Sequence, residues 1–161
     1  MQAVPVVCGK KGDSGMYVVS GCLLGQNCKY NGGNNKNDDV IEFCKTHKYV
    51  VVCPESAGNL EKPRPPAEKV GNRILNQKGE DVTEAFLRGA EISFKTCMEI
   101  ARIAGDPIEG AILKANSPSC GCGQIYDGTF SGTLVPGNGV FAAMLVRRGI
   151  KVMTEKENLE W

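Results

Sequence analysis

Four short runs of strand-forming residues, separated by segments with helical spacing, constrain this chain more than any other feature. They are Met16–Ser20 (MYVVS), closed by Gly21; Tyr49–Cys53 (YVVVC), stopped by Pro54; Gly110–Lys114 (GAILK); and Ile150–Thr154 (IKVMT). Between them, Asn37 or Asp38 is placed to cap a short helix with Val40, Ile41, Cys44 and His47 on its inner side. Asp81-Val82-Thr83-Glu84 has the D-x-x-E form of a capping box. It opens the longest predicted helix, with Phe86, Ala90, Phe94, Cys97 and Ala101 at helical spacing and a stop at Gly105 and Pro107. Asn138 is placed to cap a last helix carrying Val140, Phe141, Met144 and Leu145, closed by Gly149. Strands alternating with amphipathic helices predict an α/β fold, a single Rossmann-like layered domain with a mainly parallel sheet.

The remaining segments read as connections. Residues 1–15, with three glycines and no periodic pattern, are expected to be a flexible leader, and 16–161 the single α/β domain. Residues 25–37 are dense in Gly and Asn, 70–80 form a small hairpin or irregular excursion, and 115–139 form a long Gly/Ser/Pro-rich loop. Three prolines in Lys62-Pro63-Arg64-Pro65-Pro66 forbid helix and central strand alike. Fully apolar stretches such as Tyr49–Cys53 reach only four to five residues, so no membrane partner is expected, and no signal-peptide apolar region is seen. A cytoplasmic location follows as the expectation. Nineteen basic against eighteen acidic side chains leave a net charge of +1, which argues against a large nucleic-acid footprint.

Eight cysteines then become the unusual number. In a reducing compartment clustered thiols read as metal-binding or catalytic rather than as a disulfide framework. Cys22 ends the first strand run, Cys53 ends the second, and Cys120 lies in the loop after the third. In an open parallel sheet the carboxyl ends of the strands face one edge, so the three thiols are expected on one lip, where such sheets bind ligands. Structural zinc normally takes four ligands delivered as close pairs, and no C-x2-C pair exists here. An iron–sulfur cluster also takes thiolates, and three would leave one iron open for chemistry. Cys44 and Cys97 fall on apolar helix faces as small buried hydrophobes. Cys28 and Cys122 each sit near a proposed ligand, with fourth ligand, cap and bystander all open.

The motifs are specific when taken in series. Ser20-Gly21-Cys22-Leu23-Leu24-Gly25, Cys28-Lys29-Tyr30-Asn31-Gly32-Gly33, Cys53-Pro54-Glu55 and Pro63-Arg64-Pro65-Pro66-Ala67-Glu68 come first. Gly79-Glu80-Asp81-Val82-Thr83, Leu113-Lys114-Ala115-Asn116-Ser117-Pro118-Ser119-Cys120-Gly121 and the run from Gly123 to Gly132 complete it. In this order, over residues 16–155, they resemble the thiouracil desulfidase family of bacterial iron–sulfur desulfidases, once a domain family of unknown function. The resemblance implies a [4Fe-4S] cluster held by Cys22, Cys53 and Cys120 with one iron not ligated by protein. It implies non-redox desulfuration of a small thiolated pyrimidine, 2-thiouracil or 4-thiouracil, to uracil plus hydrosulfide. It also implies Glu55 and Ser117 as the catalytic pair. Gly21 stands where the family commonly has Ala or Ser, and Cys122 where a small non-thiol residue is expected.

Each role has a rival. Glu55 is either an acid–base group or a solvated loop carboxylate, and Ser117 either touches substrate or caps a turn around Pro118. Ser119 is a second candidate for that hydroxyl. Lys114 and Arg64 are candidate contacts to substrate or cluster, and Tyr30 and Tyr126 candidate stacking partners for a planar base. His47 reads as a helix C-terminal dipole partner. Two other functions compete: a non-catalytic iron–sulfur or zinc-binding module, and a desulfidase acting on thiolated tRNA.

Overall fold

The computed structural model describes residues 4–6 and 15–159 of the 161-residue chain. In chain order the elements are β1 (Val4–Val6), β2 (Met16–Ser20), a 3-10 turn (Gly21–Leu24), α1 (Asp38–Thr46), β3 (Lys48–Val52), α2 (Pro54–Ala57), β4 (Ala67–Val70), β5 (Arg73–Asn76), α3 (Thr83–Ala104), β6 (Ile108–Leu113), β7 (Gln124–Tyr126), β8 (Leu134–Pro136), α4 (Val140–Arg147) and β9 (Lys151–Thr154).

β-branched residues build the sheet, and their alternation assigns its two faces. The five strands run in the order β1-β3-β2-β6-β9. β3, β2, β6 and β9 are parallel, paired as Val18↔Val50, Val18↔Ala111 and Ala111↔Val152. On one face Val18, Val50, Val52, Ala111 and Leu113 join Ala90 and Cys97 of α3 and Phe141 and Leu145 of α4 in one buried cluster. On the other, Val19 and Ile112 meet Val40, Phe43 and Cys44 of α1. Full burial of a side chain such as Phe141 or Leu113 contributes about 1.5–3 kcal/mol, so this three-layer arrangement is where stability accumulates. Cys44 and Cys97 are buried as small apolar residues, as expected.

The winding starts at β2, passes through α1 to β3 on one side, then crosses by α3 to β6 on the other side of β2. The chain direction of winding therefore reverses around β2. The carboxyl ends of β2, β3 and β6 flank the crevice that this reversal opens. The Lys114 amide donates to Ser20 Oγ (3.0 Å), joining the ends of β2 and β6 at that crevice.

Four expectations need correction. The leader is not featureless, because Val4–Val6 pair antiparallel with β3 in the register Val4↔Val51 and Val6↔Tyr49. The outer row of β3 amides and carbonyls would otherwise be an open edge, and Pro5 is compatible with the edge strand that covers it; the other positions of 1–14 lie outside the described residues. The loop 115–139 contains the β7–β8 hairpin, whose three-residue strands are too short to show alternation. The cap of α3 is Val82, not Asp81. Asp81 bridges Leu75 in extended conformation, and its carboxylate instead accepts from the amide and hydroxyl of Thr83 (2.9 and 2.6 Å). The cap of α4 is Gly139, while the Asn138 side chain turns away to accept from the Gly123 amide (2.8 Å). Asn37 caps α1 as expected, accepting from the Val40 amide, and Gly105 ends α3 in the left-handed conformation at φ 74°.

Candidate active site

Each of the three cysteines is placed by a different local device. Cys22 lies in the 3-10 turn that follows β2, closed by Gly25 at φ 94°. Cys53 precedes α2, where Pro54 at the first helical position needs no donor and ends β3 at once. Cys120 ends the S-P-S-C turn, in which Ser117 Oγ accepts from the Cys120 amide (2.8 Å) and the Gly121 amide donates to the Ser117 carbonyl (2.9 Å). The start of α4 seats that turn. Its amides at Val140, Phe141 and Ala142 donate to the carbonyls of Pro118 and Ser119, which satisfies helix-end donors that would otherwise be orphaned.

These turns share one cavity of about 470 Å³, lined by Cys22, Cys53 and Cys120 together with Glu55, Ser117 and Ser119. The size suits a small-molecule or cofactor site. The candidate substrate contacts reach it too, since Lys114, Arg64, Tyr30 and Tyr126 line it as well. Cys28 also lines it, at 3% exposure, whereas Cys122 does not and places its sulfur 3.8 Å from the Val152 carbonyl, beside β9. His47 is away from the cavity, stacked on Phe43 with ring centroids 3.8 Å apart at the end of α1.

The thiols differ in character. Cys53 is lowered from 9.0 to about 6, mainly because the Cys28 thiol donates to it, with Ser56 adding further hydrogen bonds against the cost of burial. Cys22 is lowered for the same leading reason, with Asn35 helping. Cys28 shifts the opposite way, its ionisation pushed up by its hydrogen-bond contacts with Cys22 and Cys53 and by burial. Burial pushes Cys120 up to about 12, only partly opposed by hydrogen bonds from Ser20 and Ser119. Cys28 thus eases the ionisation of its two neighbours at a lip that also carries Arg64 and Lys114.

Beside the thiols runs a polar chain that sequence spacing did not display. Glu55 Oε1 accepts from Arg64 Nε (3.2 Å) and Nη2 (2.9 Å), and Glu55 Oε2 accepts from Ser119 Oγ (3.1 Å). Ser117 Oγ lies 3.4 Å from Ser119 Oγ. Glu55 is therefore neither solvated nor loose, with its side chain 19% exposed and that of Arg64 8%. Arg64 Nη2 also donates to the Cys28 carbonyl (3.0 Å), tying the proline-rich segment to the thiol loop. Ser117 performs the turn-capping role that competed with its catalytic one, and Ser119 is the hydroxyl in contact with Glu55. Lys114 pairs with Glu155 Oε2 (2.9 Å), so its charge is held at the rim.

Sequence reasoning missed Glu68, a buried cavity-lining carboxylate on β4 whose only signal was its place at the end of the P-R-P-P-A-E motif. Gly21 is explained locally: a Cβ there would fall 2.2 Å from Gln26 Oε1, so that amide occupies the space a larger residue would take.

The cysteines that meet in this cavity are thiol donors, the ligand type by which proteins hold iron–sulfur clusters.

A layered α/β sheet with thiols on its carboxyl lip beside a carboxylate–guanidinium–hydroxyl chain has the site of an open-sheet enzyme. A family model described as 2-thiouracil desulfurase matches residues 17–157. The chain belongs to the 2-thiouracil desulfurase family, and it is an enzyme that cleaves C–S bonds. It is 40% identical over 152 residues to the "Uncharacterized protein YbbK" of Bacillus subtilis (strain 168), a match covering 88% of this chain and 97% of the relative. It is also similar to the solved structure of the "[4Fe-4S]-dependent thiouracil desulfidase TudS", at 39% identity and a TM-score of 0.73, covering 88% of this chain and 91% of that one. Among the described residues no helix is long and apolar enough to cross a membrane.

Proposed function

We propose that this protein is a [4Fe-4S]-dependent desulfidase that hydrolyses the thiocarbonyl of a free thiouracil to uracil and hydrosulfide. The observation that carries the reading is the meeting of Cys22, Cys53 and Cys120, from three separate strand ends, in the cavity that also holds Glu55. Those three thiols would hold the cluster, leaving one iron without a protein ligand. When bound, that iron would supply a thiophilic Lewis acid for the substrate sulfur.

The chain's own residues do the proton work. Water provides the new C–O bond as the C–S bond breaks and sulfur departs as hydrosulfide, so no electron is gained or lost. Glu55 is the base for that water and returns the proton towards the leaving sulfur, assistance typically worth about 10²–10⁴-fold. Arg64 fixes one carboxylate oxygen, which leaves the Ser119 side of the carboxylate to exchange protons. Ser117, 3.4 Å from Ser119, extends that path to the cavity wall beside Cys120. Tyr30 and Tyr126 offer faces for a planar ring.

The test is anaerobic purification with metal and sulfide analysis, followed by hydrosulfide release from 2-thiouracil and 4-thiouracil. A brown protein with about four irons that turns over either substrate is expected; a colourless zinc protein would refute the reading. Glu55→Gln should keep its iron and lose turnover. Cys122→Ser should keep both, because its sulfur points to Val152 rather than into the cavity.

A further inference from the structure

Glu68 carries more chemistry than its place on a hairpin requires. It is 7% exposed and lines the same cavity as the thiols. Its Oε1 accepts the amides of Gly128 (3.0 Å) and Phe130 (3.1 Å), so β4 holds the tip of the β7–β8 connection. Among the described residues no cation pairs with Glu68, and no donor reaches Oε2. Oε2 is not among the fully buried unpaired atoms, so this second oxygen of a mostly buried side chain stays open to the cavity that Glu68 lines. The backbone pair on Oε1 fixes the carboxylate plane, so the second oxygen is preset for a donor arriving through the cavity.

We infer that Glu68 Oε2 is the acceptor for a ring N–H of the substrate and selects planar lactam or thiolactam bases that carry one. The inference rests on the desulfidase reading for the identity of the base. Glu55 has both oxygens engaged by Arg64 and Ser119, so the two acids divide the work. Glu55 moves protons and Glu68 reads the ring edge. Phe130, at φ 57° and held by its amide to Glu68, lines the same wall, so recognition of the edge and placement of an aromatic face are coupled.

Glu68→Gln separates recognition from structure. Its carbonyl still accepts from Gly128 and Phe130, while the amide nitrogen replaces an acceptor with a donor at the cavity. In anaerobic calorimetry of the holoprotein, uracil should bind this variant about 10- to 100-fold more weakly than it binds the wild type, the range for losing a hydrogen bond to a charged acceptor. KM for 2-thiouracil should rise by a similar factor with unchanged iron content and unchanged melting temperature. For the wild type, one of 1-methyl- and 3-methyl-2-thiouracil should show the same loss, and the Gln variant should no longer discriminate against it. Uracil affinity and KM within twofold of wild type would overturn the assignment. Wild-type protein that binds uracil in a Glu68-dependent way without releasing hydrosulfide from either thiouracil would support the assignment and remove the desulfidase reading. Glu68→Ala, which also frees the two amides, should lose binding and melting temperature together.

Discussion

Gly89→Ala tests whether the active site depends on a backbone contact remote from its chemistry. Gly89 lies on α3 where α2 crosses it. A Cβ added there would fall 1.8 Å from the Pro54 carbonyl oxygen and 2.7 Å from the Gly58 amide nitrogen. Both are backbone atoms, so no side chain can rotate away. The reciprocal position is equally closed, since a Cβ on Gly58 would meet the Ala85 carbonyl oxygen at 2.1 Å. Ordinary contact begins near 3.4 Å, so α2 must retreat by well over 1 Å. Two effects oppose each other. Alanine in a helix interior gains about 1 kcal/mol over glycine, whereas forcing atoms into a packed contact costs about 1–3 kcal/mol. With a backbone overlap this deep the upper part of that range applies, leaving a net loss of about 1–2 kcal/mol. Activity should suffer more than stability. α2 carries Glu55 and follows Cys53 directly, and a displacement of about 1 Å at a reacting group costs about 10²-fold in rate. Urea unfolding should show a lower midpoint with an unchanged slope, and turnover should fall by about two orders of magnitude in protein that keeps most of its iron. A variant as stable as wild type or more so, with full turnover, would mean that α2 is not pressed onto α3 and would refute the reasoning.

Arg64→Lys should weaken turnover about 10-fold while iron content holds, because an ammonium cannot supply the paired Nε and Nη2 bonds to Glu55 that a guanidinium does; Arg64→Ala should further lower stability by about 2 kcal/mol in urea titration, as a partly buried carboxylate loses its cation. Cys97→Ala should change the alkaline limb of stability. Burial raises the Cys97 thiol from 9.0 to about 12, so the folded state retains a proton that the unfolded state loses above pH 9. Wild-type stability from this thiol is intact below pH 9 and falls by about 1 kcal/mol per unit as pH rises towards 12. The variant, weaker at pH 7 through lost packing, should therefore close the gap between pH 9.5 and 10.5; parallel pH profiles in urea unfolding would count against a dry thiol.

The layers were legible because burial imposes periods on the sequence. MYVVS and YVVVC name strands, and the 3.6-residue recurrence through Phe86, Ala90 and Cys97 names the long helix. Strand order was not written locally, but the strand ends were, and a parallel sheet brings such ends to one edge whichever order the strands take. That is why three cysteines far apart along the chain could be grouped from sequence. The errors have a common cause. Asp81 and Asn138 are good cap residues by type, yet a longer-range partner claimed each: the Leu75 bridge holds Asp81 extended, and Gly123 engages Asn138. Val4–Val6 became a strand only because β3 offered an edge. The bond from Ser119 to Glu55 and the two amides on Glu68 join residues more than fifty positions apart, and no spacing rule reports such contacts.

The site divides along the same line as the fold. Its floor is made by turns at the carboxyl ends of β2, β3 and β6, which the core positions through Ser20, Pro54 and the start of α4. Its walls come from two small hairpins outside the main sheet, β4–β5 and β7–β8, joined through Glu68 and bearing Tyr126 and Phe130. A floor tied into buried layers is rigid and suits a group that must hold several thiolates at fixed separations. Walls built on two-stranded excursions have few buried contacts to lose when their residues change, so the shape and polarity they present can vary without unfolding the domain. Substitutions at Cys22, Cys53 or Cys120 should therefore register in metal content, and substitutions at Glu68 or Tyr126 in the choice of base. Glu55 and Arg64 bridge the two, since α2 grows from the floor and Arg64 leads into β4; a change at either should alter rate while sparing both iron content and the preference among bases.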